Sequence, residues 1–270
     1  SRNFDWQCSG HGTGFVMTTS ATNRDLLRIT GTSKRNRVDN CYLKTSSTIV
    51  TDISMKAWTV DRGNALSAMP VGSIFQFTRN KVEGFNFGPY IDGGDDATST
   101  FFVDVFIAEY NVIKTGGSGG ASAVNEGINL LRVNNAIVRY NVLNGDGKSE
   151  HCLYALHPRN LDFSGNECYG YVSEAIKLKT LSTYSGHVNP KNWQIEFNDI
   201  HNNEGSVLVE TNNAYVLPLL SLRGNTIDGD NGSVSSATAV LIQAINTSRI
   251  HNVNLTGLQI RNATKTGVLF

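Results

Sequence analysis

The sequence is short of charge, proline and cysteine, and each shortage excludes something. Only 17% of its 270 residues are charged, and 23 Lys and Arg balance 23 Asp and Glu to a formal net charge of +0. No basic stripe with interleaved aromatics appears, so composition offers no basis for binding nucleic acid or an anionic membrane. No apolar run approaches the roughly 20 residues needed for a helix to cross a bilayer. No signal peptide opens the chain, and its start at Ser1 points to processing or to a partial chain. Five prolines are few, as expected where many strands are interior. The four cysteines, Cys8, Cys41, Cys152 and Cys168, show neither CxxC nor metal-finger spacing. Buried thiols are the favoured reading over a disulfide.

What is present is a repeat. At Leu161-Asp162-Phe163-Ser164-Gly165-Asn166-Glu167-Cys168 two apolar residues alternate, an Asn follows three positions after the second, and a third apolar residue stands two beyond it. The anchor recurs at Asn80, Asn111, Asn141, Asn166, Asn198 and Asn225, with Leu258 in the last Asn place. The paired residues run from Phe75/Phe77 to Val253/Leu255, and the residues after the anchor run Val82, Ile113, Leu143, Cys168, Ile200, Ile227 and Ile260. A fixed motif recurring at steps of 25–33 residues, with a variable remainder, means one structural turn per unit, with insertions in loops. Residues two apart share a strand face, whereas five is odd. A corner must therefore intervene, and Asn is expected there in the left-handed conformation. Stacked corners predict ladders of Asn amides.

A second strand family lies between the motifs. It places Ile128, Leu153, Ile176, Val207 and Val240 in one inward column and Leu130, Ala155, Leu178, Val209 and Ile242 in another. The predicted fold is all-β, a solenoid of roughly eight or nine coils in a single domain over 1–270. Residues 1–47 form irregular first coils, with Arg35 and Arg37 where apolar residues belong, and 70–270 form regular ones. Phe85 to Thr100 reads as a loop, as do Gly117–Ala121, Thr183–Lys191 and Thr211–Ala214. The last residues, Thr266–Phe270, read as the start of another coil without a cap, which suggests part of a longer protein.

These units resemble the right-handed parallel β-helix of the pectate-lyase-like superfamily, which includes polysaccharide lyases, polygalacturonases and the depolymerase tailspikes of bacteriophages. Leucine-rich repeats and propeller blades have other periods. The resemblance implies a groove along an exposed strand face. It also implies a bacterial surface polysaccharide as substrate, a homotrimer, and a virion tail or, alternatively, secretion. Nucleic acid, membrane insertion and an organic cofactor are not expected. The outward file Asn129, Tyr154, Lys177, Leu208, Leu241 and its neighbour Leu131, Leu156, Lys179, Glu210, Gln243 would line the groove.

Ser173-Glu174-Ala175-Ile176-Lys177-Leu178-Lys179-Thr180 is similar to a segment of chondroitinase-B and alginate-lyase-type enzymes. By that likeness Glu174 matches a calcium ligand and Lys179 a catalytic base. Val172 and Glu210 depart from the pattern. The candidate catalytic residues are thus Lys179, Glu210 and Glu174, with Tyr154, Lys177, His157 and Arg132 for substrate. A Lys179–Glu210 salt bridge is the plain structural alternative. A hydrolase would draw on two of Glu174, Glu210, Glu150, Glu126 and the Asp92/Asp95/Asp96 loop. No metal site is assigned, although calcium at the Asp loop stays open. A non-catalytic stalk or glycan-binding adhesin is the remaining alternative.

Overall fold

In the computed structural model the described strands of successive coils stack into three parallel sheets of nine, eight and nine strands. The described residues are 4–8, 25–30, 33–45, 55–61, 72–93, 102–116, 125–180, 189–212, 215–228, 238–263 and 266–270. The result is a right-handed parallel β-helix, in which each strand pairs with its counterpart one coil away. The first sheet carries the paired apolar residues, Phe75↔Phe106↔Ala136↔Leu161↔Trp193↔Leu220↔Val253. The second sheet carries Leu143↔Cys168↔Ile200↔Ile227↔Ile260. The third carries Ile128↔Leu153↔Ile176↔Val207↔Val240. Those columns meet in one apolar core. Trp193 belongs to it, and its indole N–H donates to the Pro158 carbonyl at 2.9 Å.

The corner after the first-sheet strand is built differently from expectation. Positive φ falls on the residue before each anchor, namely Arg79, Tyr110, Tyr140, Gly165, Phe197 and Gly224 before the six Asn, and Gly257 before Leu258. The Asn itself is turned inward and buried. Its Oδ1 accepts the main-chain N–H of the preceding coil's Asn, and its Nδ2 donates to a carbonyl of that coil. For Asn141 these partners are Asn111 N at 2.9 Å and Ala108 O at 3.0 Å. The amide is selected because it holds a donor and an acceptor on one short arm, and the turn's strain is left to its neighbour. At Gly165 a Cβ would stand 2.7 Å from the Tyr140 ring, and at Gly224 2.5 Å from the Phe197 ring. Glycine there satisfies both the left-handed φ and the aromatic stacked above it.

This also corrects the register of the early coils. Cys41 occupies the anchor place, its N–H donating to Asn80 Oδ1 at 2.9 Å, while Asn40 takes the positive φ. Asn36 and Val38 are then the inward pair, aligned with Phe75 and Phe77, and Arg35 and Arg37 face outward.

The cysteines form two disulfides, Cys8–Cys41 and Cys152–Cys168, which overturns the reading as thiols. Stacking explains both. Cys8 and Cys41 are 33 residues apart, about one coil, and fall at the same corner of adjacent turns, 4.9 Å apart at Cα. Cys152 and Cys168 approach across the core from the third and second sheets, with 5.9 Å between Cα atoms.

Phe87–Asp92, expected in a loop, is a third-sheet strand pairing on both sides. Gly88 and Pro89 read as turn residues. Gly88 is needed because a Cβ would lie 2.2 Å from the Gly127 carbonyl oxygen, and Pro89 takes the inward column beside Trp58. The stretches 117–121 and 183–188, with Asp95, Asp96 and Tyr184, lie outside the described residues.

Candidate functional site

The outer face of the third sheet gathers most of the expected residues. Tyr154↔Lys177 and Lys179↔Glu210 are register partners on neighbouring coils. Lys179 Nζ lies 3.4 Å from Glu210 Oε2, which also accepts from the Gln243 amide at 3.4 Å. Lys177 Nζ lies 3.3 Å from Glu174 Oε2. Tyr154, Glu174 and Lys177 therefore form one cluster, with the Lys179–Glu210 pair one file along the same face.

Arg132 and His157 are elsewhere. They stack at the corner where the third-sheet strands end, both with positive φ, and are only 2% and 3% exposed. The His157 ring packs edge-on against Tyr215 at 4.6 Å. Their surroundings are those of corner packing groups rather than groove ligands.

Strict alternation conceals the rest of the site. Cys152 and Leu153 are both fully buried, as are Ala175 and Ile176. Two adjacent inward side chains break the period of two, so the residue before them emerges on the outer side. Three successive coils repeat the consequence as contacts three residues apart. The Asn129 amide donates to a carboxyl oxygen of Glu126, the His151 and Tyr154 rings stack at 5.6 Å, and Lys177 pairs with Glu174. Glu126, His151 and Asn129 thereby join the cluster, although parity places Glu126 and His151 with the inward columns. The recurrence of polar residues three apart at equivalent strand starts is the signal in the sequence that would have revealed them.

The environments of these groups differ sharply. Glu126 is 1% exposed, and burial pushes its carboxyl up to about 8, opposed by the Asn129 hydrogen bond and reinforced by the negative charge of Glu150. Burial likewise holds His151 down at about 4, although its contact with the Glu174 backbone works the other way. The His151 Nδ1 lies 2.6 Å from that carbonyl oxygen, so Nδ1 carries the hydrogen and Nε2 presents its lone pair. For Glu174, burial raises the pKa but is outweighed by the Ser173 hydroxyl at 2.7 Å and the Lys177 ammonium, leaving it below the usual range. Burial raises the Tyr154 phenol, and Glu126, Glu210 and Glu150 add to the effect.

No protein-family model, curated protein or solved structure matches the chain. The function must therefore be argued from this geometry.

At neutral pH the face holds a protonated carboxyl, Glu126, and an ionised one, Glu174, with a neutral imidazole between them. The Glu126↔His151 pairing, continued by Leu153↔Ile176, puts Glu174 two coils from Glu126. At the strand spacing their backbones are about 10 Å apart. Glu174 is committed to Ser173 and Lys177. Among the described residues no group of three His, Cys, Asp or Glu side chains is arranged to hold a metal ion.

Proposed function

We propose that this chain is the β-helix of a tailspike-type depolymerase, which binds a bacterial surface polysaccharide along its third sheet and hydrolyses it. The observation that carries this reading is the pair of carboxyls on one face whose pKa values are pushed in opposite directions. Glycoside hydrolysis requires one carboxyl that keeps its proton for the leaving oxygen and another that takes a proton from water. Glu126 suits the first role and Glu174 the second. With the two residues two coils apart, about 10 Å at the backbone, inversion is the outcome this reading expects, since an inverting pair leaves room between its carboxyls for the water. Tyr154 supplies an amphipathic ring for a sugar face. Lys177 keeps Glu174 ionised and, with Lys179 and Glu210, lines the face along which the chain of sugars would run.

The test is a reducing-end assay on a panel of capsular polysaccharides and lipopolysaccharides, with the anomer of the first product followed by NMR. We expect shortening of one glycan with inversion, and loss of at least 100-fold in Glu126→Gln and in Glu174→Gln, the order of magnitude of a general acid or base contribution. Binding without shortening of any glycan would point to an adhesin or stalk instead. A lyase is the second reading, favoured by the phenol of Tyr154 beside the amine of Lys177 on adjacent coils. It predicts an unsaturated, ultraviolet-absorbing product and would assign the base to Lys179; full activity in Lys179→Ala would reject that assignment. The trimer is tested by light scattering of the full-length protein.

A further inference from the structure

Exposed aromatic rings are concentrated at the corner between the first and second sheets. Apart from Leu269 and Phe270, the exposed large apolar side chains among the described residues are Tyr110, Val112, Tyr140 and Phe197. The three rings are each more than half exposed, and Val112 stands two residues past the first of them. They take the positive-φ place on successive coils, in the order Tyr110, Tyr140, Gly165, Phe197, Gly224. Tyr110 and Tyr140 stack at 5.1 Å with 19° between their planes. The series breaks at the next coil, because Gly165 brings no ring to the place between Tyr140 and Phe197. Those two residues are therefore two coils apart, about 10 Å along the axis. Among the described residues no ring stacks on Phe197, which rests against Gly224 and has the Arg223 guanidinium 4.9 Å from its centre. Two residues on from Gly165 and Phe197 stand Glu167 and Asp199, register partners on the second sheet with exposed side chains. The cations beside the stripe are already paired, Arg139 with Asp162, Arg223 with Glu196 and Lys81 with Glu83.

We propose that this corner is a second polysaccharide-binding site, away from the third sheet, in which a neutral pyranose ring takes the place between Tyr140 and Phe197. The proposal rests on the polysaccharide reading above for its ligand class and needs none of the third sheet's chemistry. A ring halfway between the two would lie about 5 Å from each, the spacing already held by Tyr110 and Tyr140 and within the ~4.5–7 Å of stacked pairs. The C–H faces of a pyranose are slightly positive and meet the negative face of an aromatic ring. Its hydroxyls leave from the edge, where the Glu167 and Asp199 carboxylates stand as acceptors. Those carboxylates oppose a uronate or any other anion, and the paired cations offer it nothing in return, so the sugar is neutral. Size argues against a protein partner. Three half-exposed rings offer ~300 Å², well short of the ~800 Å² per partner of a stable protein interface. The stripe is one ring wide and runs along the rod, which suits a linear chain of sugars.

The experiment is affinity electrophoresis of the Glu126→Gln chain, in which the proposed hydrolysis is blocked, through gels cast with neutral or uronate-containing members of the capsular and lipopolysaccharide panel. We expect at least one neutral polysaccharide to retard it, and the apparent affinity to fall about tenfold when Phe197→Ala is added. Tyr140→Ala should act alike, Phe197→Tyr should bind as the parent does, and Phe197→Leu should bind as weakly as Phe197→Ala, because it keeps apolar bulk without a ring face. The Phe197 ring signals should shift when the same polysaccharide is titrated in by NMR. These side chains are exposed, so an unchanged urea midpoint in Phe197→Ala separates lost binding from lost fold. Equal retardation in Phe197→Ala and its parent would overturn the site, as would retardation by uronate-containing members alone or by none. Hydrolysis is read separately, as reducing ends released by the unsubstituted chain. Release without any effect of Phe197 on binding would reject this site and keep the hydrolase reading, whereas retardation through Phe197 without release would do the reverse.

Discussion

Removing one amide from the middle of the Asn ladder tests what holds the coils in register. Asn141 takes part in four hydrogen bonds through its side chain. Its Oδ1 accepts from Asn111 N at 2.9 Å and Asn111 Nδ2 at 2.8 Å, and its Nδ2 donates to Ala108 O at 3.0 Å and Asn166 Oδ1 at 2.9 Å. In Asn141→Ala, Asn111 Nδ2 keeps Phe77 O, and Asn166 Oδ1 keeps the Asn141 N–H. The Asn111 N–H and the Ala108 carbonyl lose their amide partner inside the wall. Each such buried group costs about 1–3 kcal/mol, so the variant should lose about 2–6 kcal/mol. Urea unfolding should show a lower midpoint at an unchanged slope, and amide exchange should quicken first at Asn111 and its neighbours. A loss under about 1 kcal/mol with protection at Asn111 retained would refute the reasoning, since water or main chain would then be replacing the amide.

Other expectations follow from the same stacking. Gly165→Ala should destabilise by about 2 kcal/mol or more through its positive φ and the Tyr140 ring 2.7 Å from the new Cβ. Adding Tyr140→Ala should recover the steric part only, which a double-mutant cycle would resolve. Reduction of the disulfides closing 33 and 16 residues of sequence should cost ~4 and ~3 kcal/mol in the chain-entropy account; an unchanged unfolding midpoint after full reduction would argue against it. Glu126 is protonated in the folded chain up to about pH 8, but ionises near its ordinary value when unfolded. Stability should therefore fall as pH rises from about 4.5 towards 8, with a slope up to ~1.4 kcal/mol per unit, and Glu126→Gln should remove that slope. His151 has the opposite consequence. Neutral in the fold down to about pH 4, it lowers stability as pH falls from its ordinary 6.5, and His151→Gln should flatten the acid side in the same titration.

Much of the fold was legible because a solenoid writes its register as a repeat. Phe75, Phe106, Ala136 and Leu161 recur at one motif position, and position alone stacks them. The Asn ladder was readable for the same reason. The left-handed turn was assigned to the wrong residue, since propensity names Asn for both jobs while the buried amide claims it for one. Arg35 and Arg37 looked like errors in the pattern until the anchor moved by a single residue, to Cys41. Gly88 and Pro89 spoke for a loop because their local preference carries no record of the strand above and below.

What the sequence determined by itself is the β-helix, the identity of its core columns and the face on which Tyr154, Lys177, Lys179 and Glu210 stand. Each of these follows from periodicity, which is a local property repeated many times. The tertiary structure alone decided the disulfides, because their partners meet only when separate coils stack or oppose each other. It alone brought the candidate site residues together as well. Glu126, His151 and Glu174 come from three coils, and contacts with Asn129, Tyr154 and Lys177 three residues on gather them along one strip of the third sheet. The protonation states that make them a chemical set depend on burial and on charges from other coils. Solvent access and distance act through space, and no spacing along the chain records them.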